Sequence, residues 1–359
     1  MNFNIIFTRS IRLLLLPFAL LYGLVIAMRN WLYDKKVLRS ATFNFPLICV
    51  GNLSVGGTGK SPMVEYLVEL LQSRFKVATL SRGYKRKTKG YGLANETTTA
   101  LEIGDEPMQF HLKFPQVAVA VGEERLVAIP QLLHDRPGTE VIILDDAFQH
   151  RAISAGLNIL LTDYNNLFYN DWFLPTGDLR DERRSYKRAH IIVVTKCPAT
   201  LGTDEKNKIV KQIKLQEQQH LFFTAIQYGQ PYHIITKQPI GITAQQEVLL
   251  VCGIANPQPL KDYLTAQVAS FTELSYSDHH IFTIDDLKEM RKKYGQLQGI
   301  NTFILTTEKD AVRLLKFSEA LRDLPLYVLP VKHQFLFGEG AQFNQLLHDF
   351  VAHSPAAEV

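Results

Sequence analysis

Residues 45–71 read FPLICVGNLSVGGTGKSPMVEYLVELL. The apolar run over 46–50 has the composition of a buried strand. A turn rich in glycine follows, with Gly56, Gly57 and Gly59, and then Lys60-Ser61. Beyond them Met63, Val64, Leu67, Val68 and Leu71 recur at helical spacing. Strand, glycine loop, Lys-Ser and helix in this order are the layout of a phosphate-binding P-loop. Glycines let successive backbone N–H groups curl around an anion, and the helix that follows aims its positive end at the same point. Ser54, Val55, Gly56, Gly57, Thr58, Gly59, Lys60 and Ser61 are therefore the expected phosphate cradle. Lys60 would reach the terminal phosphates and Ser61 would place its hydroxyl on Mg²⁺. The strict pattern has glycine where this chain has Ser54. A glycine turn that merely joins a strand to a helix is the plainer alternative.

A P-loop enzyme needs a second element, an acid at the tip of a neighbouring strand, to hold the cation that neutralises a triphosphate. Residues 140–144, EVIIL, are the clearest buried strand in the chain and run into Asp145-Asp146-Ala147-Phe148-Gln149-His150. Two adjacent acids beside a polyphosphate would repel it, so a cation between them is the economical explanation. Asp145 and Asp146 join Ser61 as the expected metal residues. Further strands are expected over 76–80, 116–121, 157–161, 190–195 and 221–227, with helices over 108–114, 123–133 and 204–215. This alternation is that of an α/β fold with a parallel sheet.

A second α/β alternation follows a Pro- and Gly-punctuated segment, 228–240, expected as a hinge or small ribbon. It comprises strands over 247–252, 302–306 and 326–331 and helices near 257–264, 285–294, from 311, and 341–353. The expected organisation is an N-terminal region 1–39, a P-loop domain 40–227, the linker 228–240 and a second α/β domain 241–359, whose final helix could pack back on the first. A length of 359 residues suits two domains.

The N-terminal region differs from the rest. Residues 13–28, LLLLPFALLYGLVIAM, carry no charge, with Arg9 and Arg12 before them and Arg29, Lys35, Lys36 and Arg39 after. A spanning helix needs roughly 20 apolar residues, so this stretch is short, and no small-residue cleavage site follows it. It reads as a retained anchor, shallow in one leaflet or just spanning, with a buried helix of the globular body as the alternative. The net charge of +4 suits an anionic partner but is no nucleic-acid signature. Cys49, Cys197 and Cys252 fall in or beside apolar runs without metal-ligand spacing, as expected of reduced core thiols.

Other charged stretches admit two readings. Lys85, Arg86, Lys87 and Lys89 follow Ser81-Arg82-Gly83-Tyr84 at the expected carboxyl end of a strand. Such ends collect ligands in open parallel sheets, although a charge run is also simply a solvated loop. Gly104-Asp105-Glu106-Pro107 can be a helix start or a pair of working acids.

Taken together, the motifs resemble the tetraacyldisaccharide 4′-kinases. The resemblance covers nearly the whole chain. It rests on Val50-Gly51-Asn52-Leu53, residues 56–62, Ser81-Arg82-Gly83-Tyr84, Gly104-Asp105-Glu106-Pro107, residues 145–150, Asp278-His279 and Thr306-Thr307-Glu308-Lys309-Asp310-Ala311-Val312-Arg313. It implies a P-loop NTPase-type α/β/α sandwich with a smaller second α/β domain and a membrane-associated N-terminal helix. The implied reaction carries the γ-phosphate of ATP, with Mg²⁺, to the 4′-hydroxyl of an acylated glucosamine disaccharide 1-phosphate, giving lipid IV-A. The implied setting is the cytoplasmic face of an inner membrane, with a monomeric enzyme and no nucleic acid. Asp105 is the implied base and His279 its partner, although a histidine in a surface loop would otherwise pass unremarked. Arg82, Arg125 and Arg180 are candidates for phosphates of nucleotide or lipid, because a guanidinium fork suits phosphate oxygens. Glu106, Gln149 and His150 are expected near the substrates. Glu308, Lys309 and Asp310 match the family motif without a chemical role. Two rival classes remain at this stage: a membrane-tethered NTPase acting as a motor or switch, and a nucleotide-sensing adaptor that does no chemistry.

Overall fold

In a computed structural model, which describes residues 12–355, the chain opens with α1 (Leu16–Asp34) and then lays down β1 (Leu47–Asn52) and α2 (Lys60–Leu71). Arg9, one of the expected flanking cations, lies outside the described residues. The first body continues with β2 (Val77–Ser81), α3 (Asp105–Lys113), β3 (Ala118–Val121), α4 (Arg125–Asp135), β4 (Val141–Asp145), β5 (Leu157–Asp163), β6 (Ile191–Thr195), α5 (Thr203–Ile213) and β7 (His220–Tyr228). In space the strands run β7-β6-β5-β1-β4-β2-β3, all parallel. The strand that feeds the glycine loop is thus central, and the strand ending in Asp145 is its direct neighbour, with Val50 opposite Asp145.

Period-two alternation puts an apolar core on each face of this sheet. Leu47 and Cys49 of β1 and Ile142 and Leu144 of β4 face one core, together with Ile129 and Leu132 of α4. Ile48, Val50, Val141 and Ile143 face the other, where Met63, Val64, Leu67, Val68 and Leu71 of α2 are fully buried. The helical stripe read from the sequence is therefore the stripe that packs.

The second sheet contains β8 (Gln246–Cys252), β9 (Ser270–Ser275), β10 (Ile300–Thr307) and β11 (Leu326–Leu329) in the order β11-β10-β8-β9, all parallel. Helices α6 (Gln258–Gln267), α7 (Ile284–Tyr294) and α8 (Glu308–Leu314) connect these strands. β9 is not expected from sequence; apart from the buried Leu274 its side chains are exposed or half-covered, so it carries little apolar signal. The single strand expected over 326–331 is two strands, split at Pro330. β11 closes the second sheet, and β12 (Val331–Phe335) pairs antiparallel with β7 at the edge of the first. Helix α9 (Gly340–His353) then buries Phe343, Leu347 and Val351 in the first body. The second sheet is thus inserted between β7 and β12. The expected linker 228–240 holds a small ribbon, with Tyr232 bridged antiparallel to Pro239 and the His233 N–H donating to the Gln238 carbonyl at 2.8 Å. Tyr228 ends β7, while Tyr232–His233 already pairs with β11, so the chain crosses near Gly229, whose N–H donates to the Pro330 carbonyl at 2.9 Å.

Helix α1 lies along the first body. Ala19, Gly23 and Asn30 are its buried residues, while Leu14, Phe18, Leu21, Leu24, Met28 and Trp31 face outward. The alternative of a buried core helix does not hold, since only 17% of the apolar window is buried.

Candidate active site

The glycine loop rises from β1 and ends at Gly59, which takes φ +84° as the residue preceding α2. That left-handed turn suits glycine, and a Cβ here would stand 3.1 Å from the His333 ring. Lys60 opens α2 and reaches Asn52 Oδ1 at 3.2 Å and Asp146 at 3.7 Å. Asn52 is fully buried at the end of β1 and also accepts from Arg180 at 2.6 Å. It is a hub of the site that residue chemistry alone did not single out.

Asp145, at the tip of β4, is buried, and its Oδ1 has no hydrogen-bond partner among the described residues. Burial, and then the nearby carboxylates of Glu106 and Asp146, push its pKa up to about 7. A buried carboxyl surrounded by acids lacks a counter-charge. Glu106 joins it from α3, accepting from the Ser61 hydroxyl at 3.1 Å. Burial alone would raise Glu106, but Lys309, Lys60 and the Ser61 hydroxyl together hold it below the ordinary range. Ser61, Asp145 and Glu106 therefore present oxygen donors of the kind a hard divalent cation takes, and the orphaned oxygen of Asp145 fits one. Asp146 stands apart from this set. It takes φ +50°, and both its carboxylate oxygens face the Arg180 guanidinium. Burial would raise its pKa, but Arg180 and Lys60 hold it low. The two adjacent acids thus face different surroundings: Asp145 keeps an unpartnered oxygen, whereas Asp146 is engaged by Arg180. Arg180, expected on a substrate phosphate, is here engaged by Asp146 and Asn52.

Asp105 is the first residue of α3, set there by Gly104 at φ +95°. Its Oδ2 lies 3.2 Å from Nδ1 of His279, which comes from the loop before α7 in the second sheet. The two bodies meet at this pair. His279 sits at φ +61°, uncommon for a residue with a side chain and of the kind that clusters at working sites. The ring of Tyr84 packs edge-on to it, with centroids 6.1 Å apart, and Lys85 lies over Tyr84. The basic loop after β2 therefore borders the pair.

The remaining expected residues are two arginines with a neutral histidine and a glutamine. Arg125 is 2% exposed, with Nε unpartnered among the described residues. His150 has a lowered pKa through burial and the charges of Arg125, Arg29 and Arg82. Arg82 is exposed. Gln149 donates its side-chain amide to the Asn52 carbonyl, and its own carbonyl accepts from Arg29 of α1 at 2.8 Å. The N-terminal helix thus touches the loop that follows the acidic strand tip.

Comparison with known proteins bears on this geometry. A family model described as tetraacyldisaccharide-1-P 4′-kinase matches residues 11–352. A tetraacyldisaccharide 4′-kinase of Bacteroides thetaiotaomicron is 43% identical over 352 residues, covering 94% of this chain and 92% of that protein. One from Flavobacterium johnsoniae is 46% identical over 327 residues, covering 91% and 93%. Among solved structures, LpxK of Aquifex aeolicus in complex with ATP superposes with a TM-score of 0.73 at 30% identity, covering 95% of this chain and 99% of that one.

Proposed function

The chain belongs to the tetraacyldisaccharide-1-P 4′-kinase family, and from that premise we propose how its side chains share the transfer of a phosphoryl group from ATP to a lipid-borne sugar hydroxyl. The enzyme phosphorylates the 4′-hydroxyl of a tetraacyldisaccharide 1-phosphate in lipid A biosynthesis, with ATP as donor and Mg²⁺ as its cation. Family membership disfavours a motor or switch that lacks a lipid acceptor.

Phosphoryl transfer asks a protein mainly for positioning and charge neutralisation. The unpaired backbone N–H groups of the glycine loop and the start of α2 receive the phosphates, and Lys60 reaches across them, while the Val55 N–H donates to the Asp178 carbonyl at 2.8 Å and holds the loop in place. Mg²⁺, when bound, spreads the charge of the β- and γ-phosphates; Ser61, Asp145 and Glu106 are the residues that would hold it. Asp146 fixes Lys60 and Arg180 at the mouth of the loop. Arg125 and Arg82 form a cationic margin suited to a phosphate of nucleotide or lipid, with the neutral His150 ring beside them as a hydrogen-bonding group.

A sugar hydroxyl is a poor nucleophile and must lose its proton as the new bond forms. Asp105 is the base in this reading, and His279 orients it and shares the proton. The observation that carries it is the 3.2 Å contact between the two residues, made across two sheets beside the residues that flank the glycine loop. Asp105→Asn is expected to lower kcat by about 10²–10⁴-fold while the ATP KM stays within about twofold. The assay is acceptor-dependent ADP release with Mg·ATP and the disaccharide lipid. A near-normal kcat removes Asp105 from the role.

The substrate is acylated, and lifting it from a bilayer would cost roughly 0.8 kcal/mol per CH₂. We infer that α1 lies in the membrane interface rather than across the bilayer. The chain is docked from just before the helix to its last turns: Arg12, ahead of α1, to Asp178 at 3.0 Å, Tyr22 to the Arg180 carbonyl at 3.1 Å, and Asn30 to Asp181 at 2.8 Å. Spanning would carry those ionised partners into hydrocarbon. The outward leucines and Trp31 would then enter the lipid, with the active-site loops at headgroup level. Leu21→Asp with Leu24→Asp is expected to weaken vesicle co-sedimentation about tenfold or more and to leave nucleotide affinity unchanged. Undiminished co-sedimentation counts against the docking. The protein is proposed to work as a monomer.

A further inference from the structure

The segment 306–313 is prominent in the sequence and takes no part in the steps above. In the structure it builds α8, and three side chains of that helix reach α3 in the other body. Glu308 meets Lys113 at 2.7 Å, Lys309 meets Glu106 at 2.7 Å, and Arg313 Nε stands 3.2 Å from Asp105 Oδ2. Each site carboxylate of α3 thus has its own cation from the second body. Lys309 and Glu308 serve as braces. Arg313 does more, because its guanidinium contacts both sides of the dyad.

Arg313 is buried, and Nη1 donates to the carbonyl of His280 at 3.1 Å, on the residue next to His279. Nη1 also lies 3.5 Å from Asp310 Oδ1. Asp310 is fully buried and is itself fixed. Its Oδ2 accepts from the Thr307 hydroxyl at 2.7 Å and the Gly253 N–H at 3.1 Å. The guanidinium therefore lies between this fixed carboxylate inside the second body and the Asp105 carboxylate, held to both by charge, since neither Asp310 Oδ1 nor Arg313 Nε has a hydrogen-bond partner among the described residues. The same group holds the backbone that carries His279 in its left-handed conformation.

We propose that Arg313 is the positioning residue of the Asp105–His279 pair: one guanidinium fixes the carboxylate from one body and the histidine loop of the other, so the dyad forms only when α8 is docked on α3. The inference rests on the reading of Asp105 as base. It assigns to the last part of the 306–313 segment a task that lysine, a point charge without a planar fork, fills only in part.

The charged groups around Asp105 are His279 and Arg313 directly, Asp278 beyond His279 Nε2 at 3.9 Å, and the Glu106–Lys309 pair next along the helix. Arg313→Gln is expected to lower kcat about 10–100-fold, since small misplacements of reacting groups have effects of that order. The ATP KM should stay within about twofold, a split between kcat and KM that a general loss of structure would not give. Arg313→Lys should restore part of kcat at the same ATP KM. Asp105→Asn is measured alongside.

A folded Arg313→Gln enzyme with unchanged kcat overturns the proposal. So does one whose melting temperature falls and whose ATP KM rises along with the loss of kcat, because that is a purely structural role. Should Arg313→Gln fail to fold, Arg313→Lys decides: wild-type kcat in that variant overturns the proposal, and a reduced kcat with a near-normal ATP KM supports it. If Asp105→Asn is itself active, the base reading fails. If Asp105→Asn is inactive while Arg313→Gln matches the wild type, only the present inference fails.

Discussion

The two halves of the active site are held together by different means. The phosphate cradle grows from a central parallel strand, and backbone geometry fixes it. Gly59 turns the chain, the Thr195 hydroxyl donates to the Thr58 carbonyl at 2.9 Å, and His333 donates to the Gly59 carbonyl at 2.9 Å. With their carbonyls tied back, these peptides leave their N–H groups free for an anion. The dyad has no such frame. It is assembled between two sheets by side chains, through Asp105–Arg313, Glu106–Lys309 and the Lys113 bridge. A cradle that must fit one polyphosphate gains from rigidity. A base that must admit a bulky lipid headgroup gains from a junction of ion pairs, which can part and reform as packed apolar surfaces do not. Substitutions in the two regions should therefore differ in kind.

Lys113 is the largest test of the junction. Its ammonium lies between two nearly buried carboxylates, Glu65 of the P-loop helix at 2.6 Å and Glu308 of α8 at 2.7 Å. Lys113→Met leaves both without a cation, and breaking a buried pair in this way costs about 3–5 kcal/mol. The sign of the pH dependence follows from Glu65, whose pKa is pushed up from 4.5 to about 7 by burial and by Glu308. Between those two pH values the folded protein holds a proton that the unfolded chain has lost, so stability falls as pH rises through the window. Without Lys113 the folded pKa climbs further and the window widens upward. Urea unfolding should show a larger loss at pH 8 than at pH 5, together with lowered kcat and near-normal ATP affinity. Equal losses at the two pH values would falsify the assignment of Glu65 as the strained partner.

The same contrast explains what could be read from the sequence. The cradle is a local object, contiguous in the chain and written in glycine, lysine and an apolar period, so strand, loop and helix were all legible within residues 45–71. Asp145 was legible because it ends an apolar strand. The junction is non-local. Lys113 and Glu308 are 195 residues apart, and Glu106 and Lys309 are 203 apart, and nothing in either segment names the other. The family resemblance supplied Asp105 and His279, whereas composition supplied neither. Asp146 illustrates a local reading that geometry divides: it neighbours Asp145 in sequence, but its left-handed backbone turns it to Arg180. Pro330 illustrates a topological one. Leu326, Val328, Leu329 and Val331 form one apolar run, yet the chain changes sheets at the proline, which lacks the N–H to continue a ladder.

His333 offers the smaller, complementary test on the cradle side. It stands on β12, directly after the crossing from the second body, and accepts at Nδ1 from the Thr224 hydroxyl at 2.9 Å while Nε2–H holds the Gly59 carbonyl. Burial, partly offset by that carbonyl, lowers its pKa from 6.5 to about 4, so the ring is neutral at working pH. A lowered pKa gives stability that is present above 6.5 and is lost as pH falls from there through 4, because the unfolded chain takes up the proton first. His333→Ala removes one hydrogen bond from the loop, worth about 1 kcal/mol. The ATP KM should rise about fivefold, with kcat on saturating ATP little changed, the reverse of the pattern expected at the junction. His333→Gln should keep a donor near the carbonyl, restore most of the affinity and flatten the acid side of the stability curve between pH 6.5 and 4. If His333→Ala instead lowered kcat and left the ATP KM alone, β12 would belong functionally to the junction, and the division between a backbone-framed cradle and a side-chain-built dyad would not hold.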